Sequence, residues 1–259
     1  MAFGYLVTGL LVGFLVGLTG VGGGSLMTPL LVFLFRCKPV VAVGTDLLFA
    51  AITKCGGVLI HHGKHKSVNW RIVGLLSLGS LPGSLLTLFV LRHFANWGQA
   101  QNRIISTSLG VALILTALAQ LVRTRLARMA SERELKSPQT DGFRTLATIT
   151  SGCLIGVLVT LSSVGAGALG TIALLVLYPR LPTLQVVGTD LSFAIPLTLL
   201  AGLGHLQLGN VDLSLLGNLL VGSLPGIWAG SHLSAKLPDR FLRPILASVL
   251  FVVGLKLVM

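Results

Sequence analysis

The sequence predicts an all-α polytopic integral membrane protein, and three observations support that fold class. Of the 259 residues, 53% are hydrophobic and 10% are charged, whereas a soluble domain carries about 25% charged residues. The mean hydropathy is +0.92. The apolar residues form continuous runs, and a helix of about 20 apolar residues spans a bilayer. These runs include Ile72–Val90, Ile104–Val122, Thr145–Tyr178, Val186–Leu203, Leu213–Ala229 and Pro244–Leu255.

The charge of the chain is typical of a membrane protein and not of a nucleic-acid-binding protein. The formal net charge is +12, but Lys and Arg lie mostly at the ends of the apolar runs, where they orient membrane helices. The sequence contains no GxSxG, HExxH or P-loop pattern, and its three cysteines have no metal-binding spacing. We therefore expect no catalytic residue, metal, cofactor or nucleic-acid partner.

The chain contains an internal repeat. Three pairs of segments recur at an offset of 143 or 144 residues: GVGGGSLMT (20–28) with SVGAGALGT (163–171), AVGTDLLFA (42–50) with VVGTDLSFA (186–194), and GSLPG (79–83) with GSLPG (222–226). Chance is a poor explanation for three matches at nearly one offset. The sequence therefore divides into a first transmembrane repeat (1–122), a basic linker (123–142) and a second transmembrane repeat (143–259).

The first segment of each half is predicted to be broken at its glycines. Phe3–Phe35 and Phe143–Tyr178 are both long for one helix, and each contains a glycine-rich stretch near its middle. Glycine weakens a helix by about 1 kcal/mol relative to alanine. We expect each segment to form two shorter helices that enter the membrane and return, which gives about 8–10 membrane segments in all.

The two halves are expected to be inverted relative to each other. The loop 63–71 carries Lys64, Lys66 and Arg71, whereas its counterpart at 206–212 carries no basic residue. With the linker and one intramembrane lysine left out, the inverted arrangement puts seven of the twelve remaining Lys and Arg inside, and a simple eight-pass arrangement puts four. Because basic loops stay inside, we expect a multi-pass membrane protein with a cytoplasmic linker.

The repeated glycine turns are the first candidate site. A helix break leaves backbone N–H and C=O groups without their helical hydrogen-bond partners. In a membrane such groups are tolerated only where they are buried in protein or line a water-filled cavity. A half-helix that starts after the turn presents free amides and a positive dipole end, which favour an anion. Close helix packing is the alternative. The candidate substrate-binding residues are Gly20, Gly22, Gly23, Gly24 and Ser25 in the first half and Ser163, Gly165 and Gly167 in the second.

The repeated VGTD sequence is the second candidate site. We assign Thr45 and Thr189 to substrate binding and Asp46 and Asp190 to coupling. Both aspartates could instead be helix N-caps, because each stands at the start of an apolar run. Acidic residues inside a membrane are costly and usually functional. If these two lie at depth, they could carry protons or bind a cation.

Lys54 and two histidines complete the candidate residues. Lys54 lies eight residues after Asp46, about 12 Å along the same helix face. It could neutralise a bound anion, pair with an acid from another segment or snorkel to the surface. His62 and His205 recur 143 residues apart and could serve either interfacial packing or proton relay.

Two further repeated features have structural interpretations. Asn69 and Asp212 precede apolar runs and are expected to be helix N-caps. The repeated GSLPG is expected to allow close helix packing or to form a hinge, because small residues let membrane helices approach closely.

The segments GLTGVGGGSLMTPLL (17–31) and AVGTDLLFAAIT (42–53), with the His-headed polar turn after them, resemble the sulfite exporter TauE/SafE family over almost the whole chain. The resemblance implies a multi-pass inner (plasma) membrane permease for small anions, often sulfur oxyanions or organosulfonates, without a prosthetic group. The second half departs from the motif at Ala166 and Ala168. The family motif falls on Gly20, Gly22, Gly23, Gly24, Ser25, Gly44 and Thr45, and on Gly165, Gly167, Gly188 and Thr189.

The predicted function is a secondary transporter for a small anion, sulfite or an organosulfonate, that alternates access between its two repeats. Inverted repeats with broken helices are a signature of such transporters. Two alternatives stay open: a cation- or proton-coupled transporter that uses Asp46 and Asp190, and a non-transporting membrane scaffold. The expected partners are the anion and the lipid bilayer, and the apolar surface allows a homodimer.

Overall fold

In this computed structural model the described residues are 2–19, 24–65, 68–93, 99–136, 140–234 and 239–258, and they form ten α-helices and no strand. The helices are α1 (Ala2–Thr19), α2 (Gly24–Leu34), α3 (Pro39–His65), α4 (Trp70–His93), α5 (Gln99–Lys136), α6 (Asp141–Ser162), α7 (Ala168–Leu177), α8 (Thr183–Gln207), α9 (Leu213–Ser234) and α10 (Asp239–Val258).

The helices have the length and surface of a membrane protein. Among the described residues, five stretches are long and apolar enough to span a bilayer. Large apolar side chains face outward, for example Phe89 at 70% and Trp228 at 68% exposure. Extended apolar surface of this kind is stable in lipid and unfavourable in water. The prediction of an all-α membrane protein is confirmed. The spans are Trp70–His93, Arg103–Glu132, Asp141–Ser162, Thr183–Gln207 and Leu213–Gly230.

The second glycine-rich segment is broken as predicted. Helix α6 ends at Ser162, Ser163 adopts a left-handed conformation (φ 59°), and Gly165 has φ 114°. Helix α7 then runs for only ten residues, about 15 Å, which is half the hydrocarbon thickness. At its end, the Tyr178 hydroxyl lies 2.9 Å from the Thr148 hydroxyl on α6. The α7 helix therefore returns toward the face from which α6 starts.

The first glycine-rich segment has the same form. Helices α1 and α2 flank residues 20–23, which lie outside the described residues. The Phe35 ring, just after α2, lies beside Gly4 near the start of α1. This segment therefore also returns toward the face from which it starts.

The GSLPG segments pack helices closely, as the sequence predicts. Helix α4 crosses α6 with Gly79 and Gly83 against Gly152 and Gly156. A Cβ added at Gly83 would lie 2.7 Å from the Cys153 carbonyl oxygen, too close for any larger residue without a shift. These glycines let the two backbones touch, so the contact is built from van der Waals packing.

The same contact recurs between the other halves of the repeats. Helix α1 crosses α9 with Gly9 and Gly13 against Gly222 and Gly226. Each of these glycines is 143 residues from its counterpart in the α4–α6 contact. Each half therefore contributes one helix to each of the two glycine contacts.

The predicted N-caps of α4 and α9 are confirmed. The Ile72 amide donates to Asn69 Oδ1 at 3.3 Å, and the Leu215 amide donates to Asp212 Oδ1 at 2.9 Å. Each side chain satisfies one of the amides that a helix start leaves without an intrahelical partner.

The segment expected to be a solvated linker is largely helical. Helix α5 continues to Lys136, because residues 123–136 are rich in Arg, Ala, Leu and Glu, which are strong helix formers. Within it Glu134 is only 5% exposed. Its carboxylate accepts a hydrogen bond from Arg144 at 2.7 Å and lies 4.0 Å from Arg180. This end of α5 is thereby tied to α6 and to the α7–α8 turn.

Candidate functional site

The candidate site lies where α3 of the first half packs against α8 of the second half. Phe49 and Phe193 are fully buried at this interface and recur 144 residues apart. Asp46 and Asp190 are also buried, at 0% and 5% exposure. Each is the eighth residue of its helix. The alternative interpretation of the aspartates as N-caps is therefore wrong, because both helices begin before the apolar run.

Each aspartate is held by a threonine from the short half-helix of its own repeat. The Thr28 hydroxyl of α2 donates a hydrogen bond to Asp46 Oδ2. The Thr171 hydroxyl of α7 donates to Asp190 Oδ2 at 3.2 Å. The other oxygen of each carboxylate, Oδ1, is buried and has no hydrogen-bond partner among the described residues. Both carboxylates therefore keep one free acceptor atom inside the protein.

Lys54 is buried between the two aspartates, at 7% exposure. Its ammonium interacts electrostatically with both carboxylates and more strongly with Asp190 than with Asp46. Asp190 also interacts with Arg123 of α5. The interpretation in which Lys54 pairs with an acid from another segment stays a prediction. Asp190 of α8 interacts with the ammonium, but the two do not form a close ion pair in the described structure.

The α6–α7 turn contributes further polar groups. The Ser163 hydroxyl faces the Asp46 carboxylate as a weak hydrogen-bond donor, and neither Ser163 Oγ nor Asp46 Oδ1 makes a full hydrogen bond with a described residue. The amides of residues 165–168 precede or begin α7 and donate to no described backbone carbonyl. Gly165 is the residue type that its φ of 114° requires. The structure therefore brings the second-half turn to the VGTD segment of the first half.

Gly170, within α7, touches the other aspartate. A Cβ added at Gly170 would overlap Asp190 Oδ1. The carboxylate therefore packs directly against the α7 backbone, and any larger residue at Gly170 would displace it.

The predicted threonines lie at the α3–α8 interface, but their hydroxyls are engaged in docking helices. Thr45 Oγ accepts a hydrogen bond from the Asp212 amide at 3.1 Å. Thr189 Oγ accepts one from the Asn69 amide at 3.0 Å. Each threonine thus fixes the turn before a helix of the other half.

The remaining predicted residues are spread around this centre. His205 is fully buried on α8, with Nε2 3.0 Å from the Thr160 carbonyl oxygen and Nδ1 without a partner. Gly24 is the first described residue of α2. Three predicted glycines lie outside the described residues, and of two further predicted residues only the backbone is described. The glycines are Gly20, Gly22 and Gly23, and the two residues are Ser25 and His62.

Sequence reasoning missed three residues at the site: Thr28, Thr171 and Arg123. The two threonines end the matched segments GVGGGSLMT and SVGAGALGT, so the repeat itself marked them. Arg123 stands at the boundary between an apolar run and the polar segment, which gave no sign that it faces Asp190. In the part of the chain that the structure describes, no group of three or more His, Cys, Asp or Glu could hold a metal ion.

Comparison with known proteins places the chain in a family. The family model described as "Sulfite exporter TauE/SafE" matches residues 5–257. The chain is 41% identical over 258 residues to "Probable membrane transporter protein YjnA" of Bacillus subtilis, with 100% of both chains covered. It is 25% identical over 268 residues to a protein of Methanocaldococcus jannaschii, also named a probable membrane transporter protein, with 96% of this chain and 92% of the relative covered. No solved structure matches. The chain belongs to the sulfite exporter TauE/SafE family.

Proposed function

We propose that this protein is a secondary transporter for a small anion, a sulfur oxyanion such as sulfite or an organosulfonate, that works by alternating access between its two repeats. The observation that carries the proposal is Lys54. A buried ammonium at the interface between the repeats is costly in a membrane and is the kind of group that neutralises an anionic substrate.

The α6–α7 break supplies a second attraction for an anion. The free amides at residues 165–168 and the positive end of the α7 dipole lie at a turn that approaches the Asp46 region. Gly165 and Gly167 leave no side chain between these amides and a ligand. We assign the matching role in the first half to the turn that contains Gly22 and Gly24.

The names of the relatives support transport over catalysis or a scaffold role. The two relatives named above carry the name of membrane transporters, and the family description names sulfite export. An anion of this class is small enough to lie between two helix breaks. The sequence has no P-loop, so the driving force in this proposal is an ion gradient or the membrane potential.

An inverted arrangement of the repeats supports alternating access. Both broken segments return toward the face from which they start, so each half crosses the membrane an odd number of times if α3, α4 and α5 each cross once. Two successive halves then have opposite orientation. In this proposal the α1–α2 segment enters from outside and the α6–α7 segment from the cytoplasm, with the polar part of α5 on the cytoplasmic side.

Coupling to a cation is favoured by the charges at the site. Two buried carboxylates, Asp46 and Asp190, interact with one buried ammonium, that of Lys54. When all three are ionised, Lys54 neutralises only one of the two negative charges. A proton or another cation would complete the balance. We therefore combine the anion site with cation coupling, and a transporter whose sole substrate is a cation is the second candidate.

The test is sulfite or methanesulfonate flux in proteoliposomes, with Lys54→Ala as the variant. Loss of a charge-assisted contact of about 1.5–3 kcal/mol predicts flux lower by about ten- to hundredfold. Lys256→Ala is the matched control, because Lys256 packs over the Phe33 ring at 5.0 Å, away from the aspartates. Equal flux in wild type and Lys54→Ala, with both proteins folded, contradicts the anion site.

A further inference from the structure

The two aspartates have equivalent first partners but different second neighbours. Thr28 and Thr171 bind them in the same way, through Oδ2. Beyond that, Asp190 faces two cationic side chains, Lys54 and Arg123. Asp190 therefore has one more described cation among its electrostatic partners than Asp46 has.

Asp46 has a neutral environment by comparison. Its closest neighbours are the hydroxyls of Thr28 and Ser163, and it interacts with Lys54 more weakly than Asp190 does. Lys54 stands eight residues along the same helix, about 12 Å away in rise, so α3 itself keeps the ammonium from contacting Asp46. Lys54 is therefore a weaker counter-charge for Asp46 than for Asp190.

The free atoms at Asp46 point to a ligand. Asp46 Oδ1 and Ser163 Oγ are both buried, at 0% and 3% residue exposure, and neither makes a full hydrogen bond with a described residue. The Ser163 hydroxyl is at most a weak donor to the Asp46 carboxylate beside it. Ser163 stands at the helix break with a left-handed backbone, where chain carbonyls leave the helical hydrogen-bond pattern. A carboxylate and a hydroxyl beside an unwound backbone can coordinate a proton or a sodium ion.

We propose that Asp46 and Ser163 form the binding site for a single monovalent cation, a proton or a sodium ion, that is transported together with the anion. This inference rests on the proposed function. It divides the two aspartates by role: Asp46 takes the external cation, and Asp190 positions Lys54 for the anion.

Among the residues that the structure describes, few charged groups lie near Asp46, and Arg123 of α5 interacts with Asp190. On its own helix the nearest is Lys54. From α8 come Asp190, which faces Lys54, and His205, which is bonded to the Thr160 carbonyl. From α9 comes Asp212, whose side chain caps its own helix. The described residues of α2 and of the α6–α7 turn bring only hydroxyls to this carboxylate.

The test compares gradient-driven accumulation with anion exchange in proteoliposomes held at zero potential. Methanesulfonate or sulfite is the probe, with a tenfold proton gradient in one arm and a tenfold sodium gradient in the other. For one-to-one coupling of a monovalent anion, one of the two gradients should accumulate the anion about tenfold in the wild type. Asp46→Asn should bring this ratio to about one, and the responding arm identifies the cation.

Two matched variants separate coupling from general damage. Ser163→Ala removes the second ligand and should also lower the accumulation ratio, which keeps the test decisive if Asp46→Asn does not fold. Asp190→Asn should instead lower anion exchange itself. If Asp46→Asn and Ser163→Ala accumulate the anion as the wild type does, or if neither gradient drives the wild type, the cation site is wrong. If the folded wild type shows no anion exchange at all, the proposed function is wrong as well. That result differs from failure of the cation site alone, in which anion exchange persists.

Discussion

At the scale of single residues, the polar interior is built from matched pairs. Thr28 with Asp46 and Thr171 with Asp190 repeat the same hydrogen bond in both halves. The membrane interior offers no water to satisfy a carboxylate that loses its partner. These hydroxyls are therefore part of the stability of the site as well as of its geometry.

Removing one of these hydroxyls should destabilise the protein. We expect Thr28→Val and Thr171→Val each to lower the free energy of unfolding by about 1 kcal/mol, because a buried carboxylate oxygen loses its donor. Thermal and denaturant unfolding in detergent would measure the change. Thr150→Val is the control, since that hydroxyl is exposed and bonds to carbonyls of its own helix. An equal loss in the control would contradict the assigned role.

The chemistry of the site could be predicted from sequence, but the direction of each side chain could not. Asp46, Lys54, Asp190 and Ser163 were all identified by repetition or by their charge in an apolar run. Thr45 directly precedes Asp46, so its side chain points about 100° away from Asp46 around the helix. It therefore contacts the Asp212 amide in the turn before α9. The N-cap interpretation of the aspartates failed because α3 begins at Pro39, a favourable first helical residue.

At the scale of helices, the close approach of α4 to α6 and of α1 to α9 explains why glycines recur four residues apart on these helices. The GxxxG pairs of α4 and α6 place backbone against backbone, with no room for a Cβ at Gly79 or Gly156. The sequence predicted both the close packing and the break between α6 and α7 because both depend on local glycine content. It did not predict the helical extension of α5, because a segment with mixed charges is compatible with either coil or exposed helix.

Replacing two glycines of α4 by alanine should affect the free energy of unfolding differently. Gly79→Ala should lower unfolding stability by about 1–3 kcal/mol, since its Cβ would overlap the Ile149 carbonyl of α6. Gly74→Ala should leave stability unchanged or raise it by up to about 1 kcal/mol, because Gly74 has open space around it and alanine favours the helix. The unfolding midpoints of both variants, compared with the wild type, test these two expectations. A Gly79→Ala protein as stable as the wild type would contradict the close contact between α4 and α6.

At the scale of the whole molecule, the repeat is nearly symmetric in its packing and asymmetric in its charge. Helix α1 meets α9 as α6 meets α4, and α3 meets α8 at the centre. The position equivalent to Lys54 in the second half is Thr198, whose hydroxyl bonds to the Ala194 carbonyl. Lys54 is thus the single buried lysine among the residues that the structure describes. If the proposed function holds, one such ammonium predicts one anion per transport cycle.

Opposite orientation of the two halves is the premise for both the anion site and the cation site. Contacts between the two halves place the loops in two groups. In the first group, Arg71 at the start of α4 lines a small cavity with Tyr178 and Arg144 of the second half. In the second group, Cys37 before α3 lies near Asp212 before α9. In the inverted arrangement the first group faces the cytoplasm and the second faces outward.

The most direct measurement is the sidedness of cysteine labelling in oriented membranes. Arg71→Cys, Arg180→Cys and Gln207→Cys are made in a background in which the three native cysteines are replaced, and all three positions are exposed. An impermeant maleimide should label positions 71 and 180 from the cytoplasmic face and position 207 from the outer face. Labelling of 71 and 207 from one face and of 180 from the other would show that both halves point the same way, and would contradict alternating access between inverted repeats.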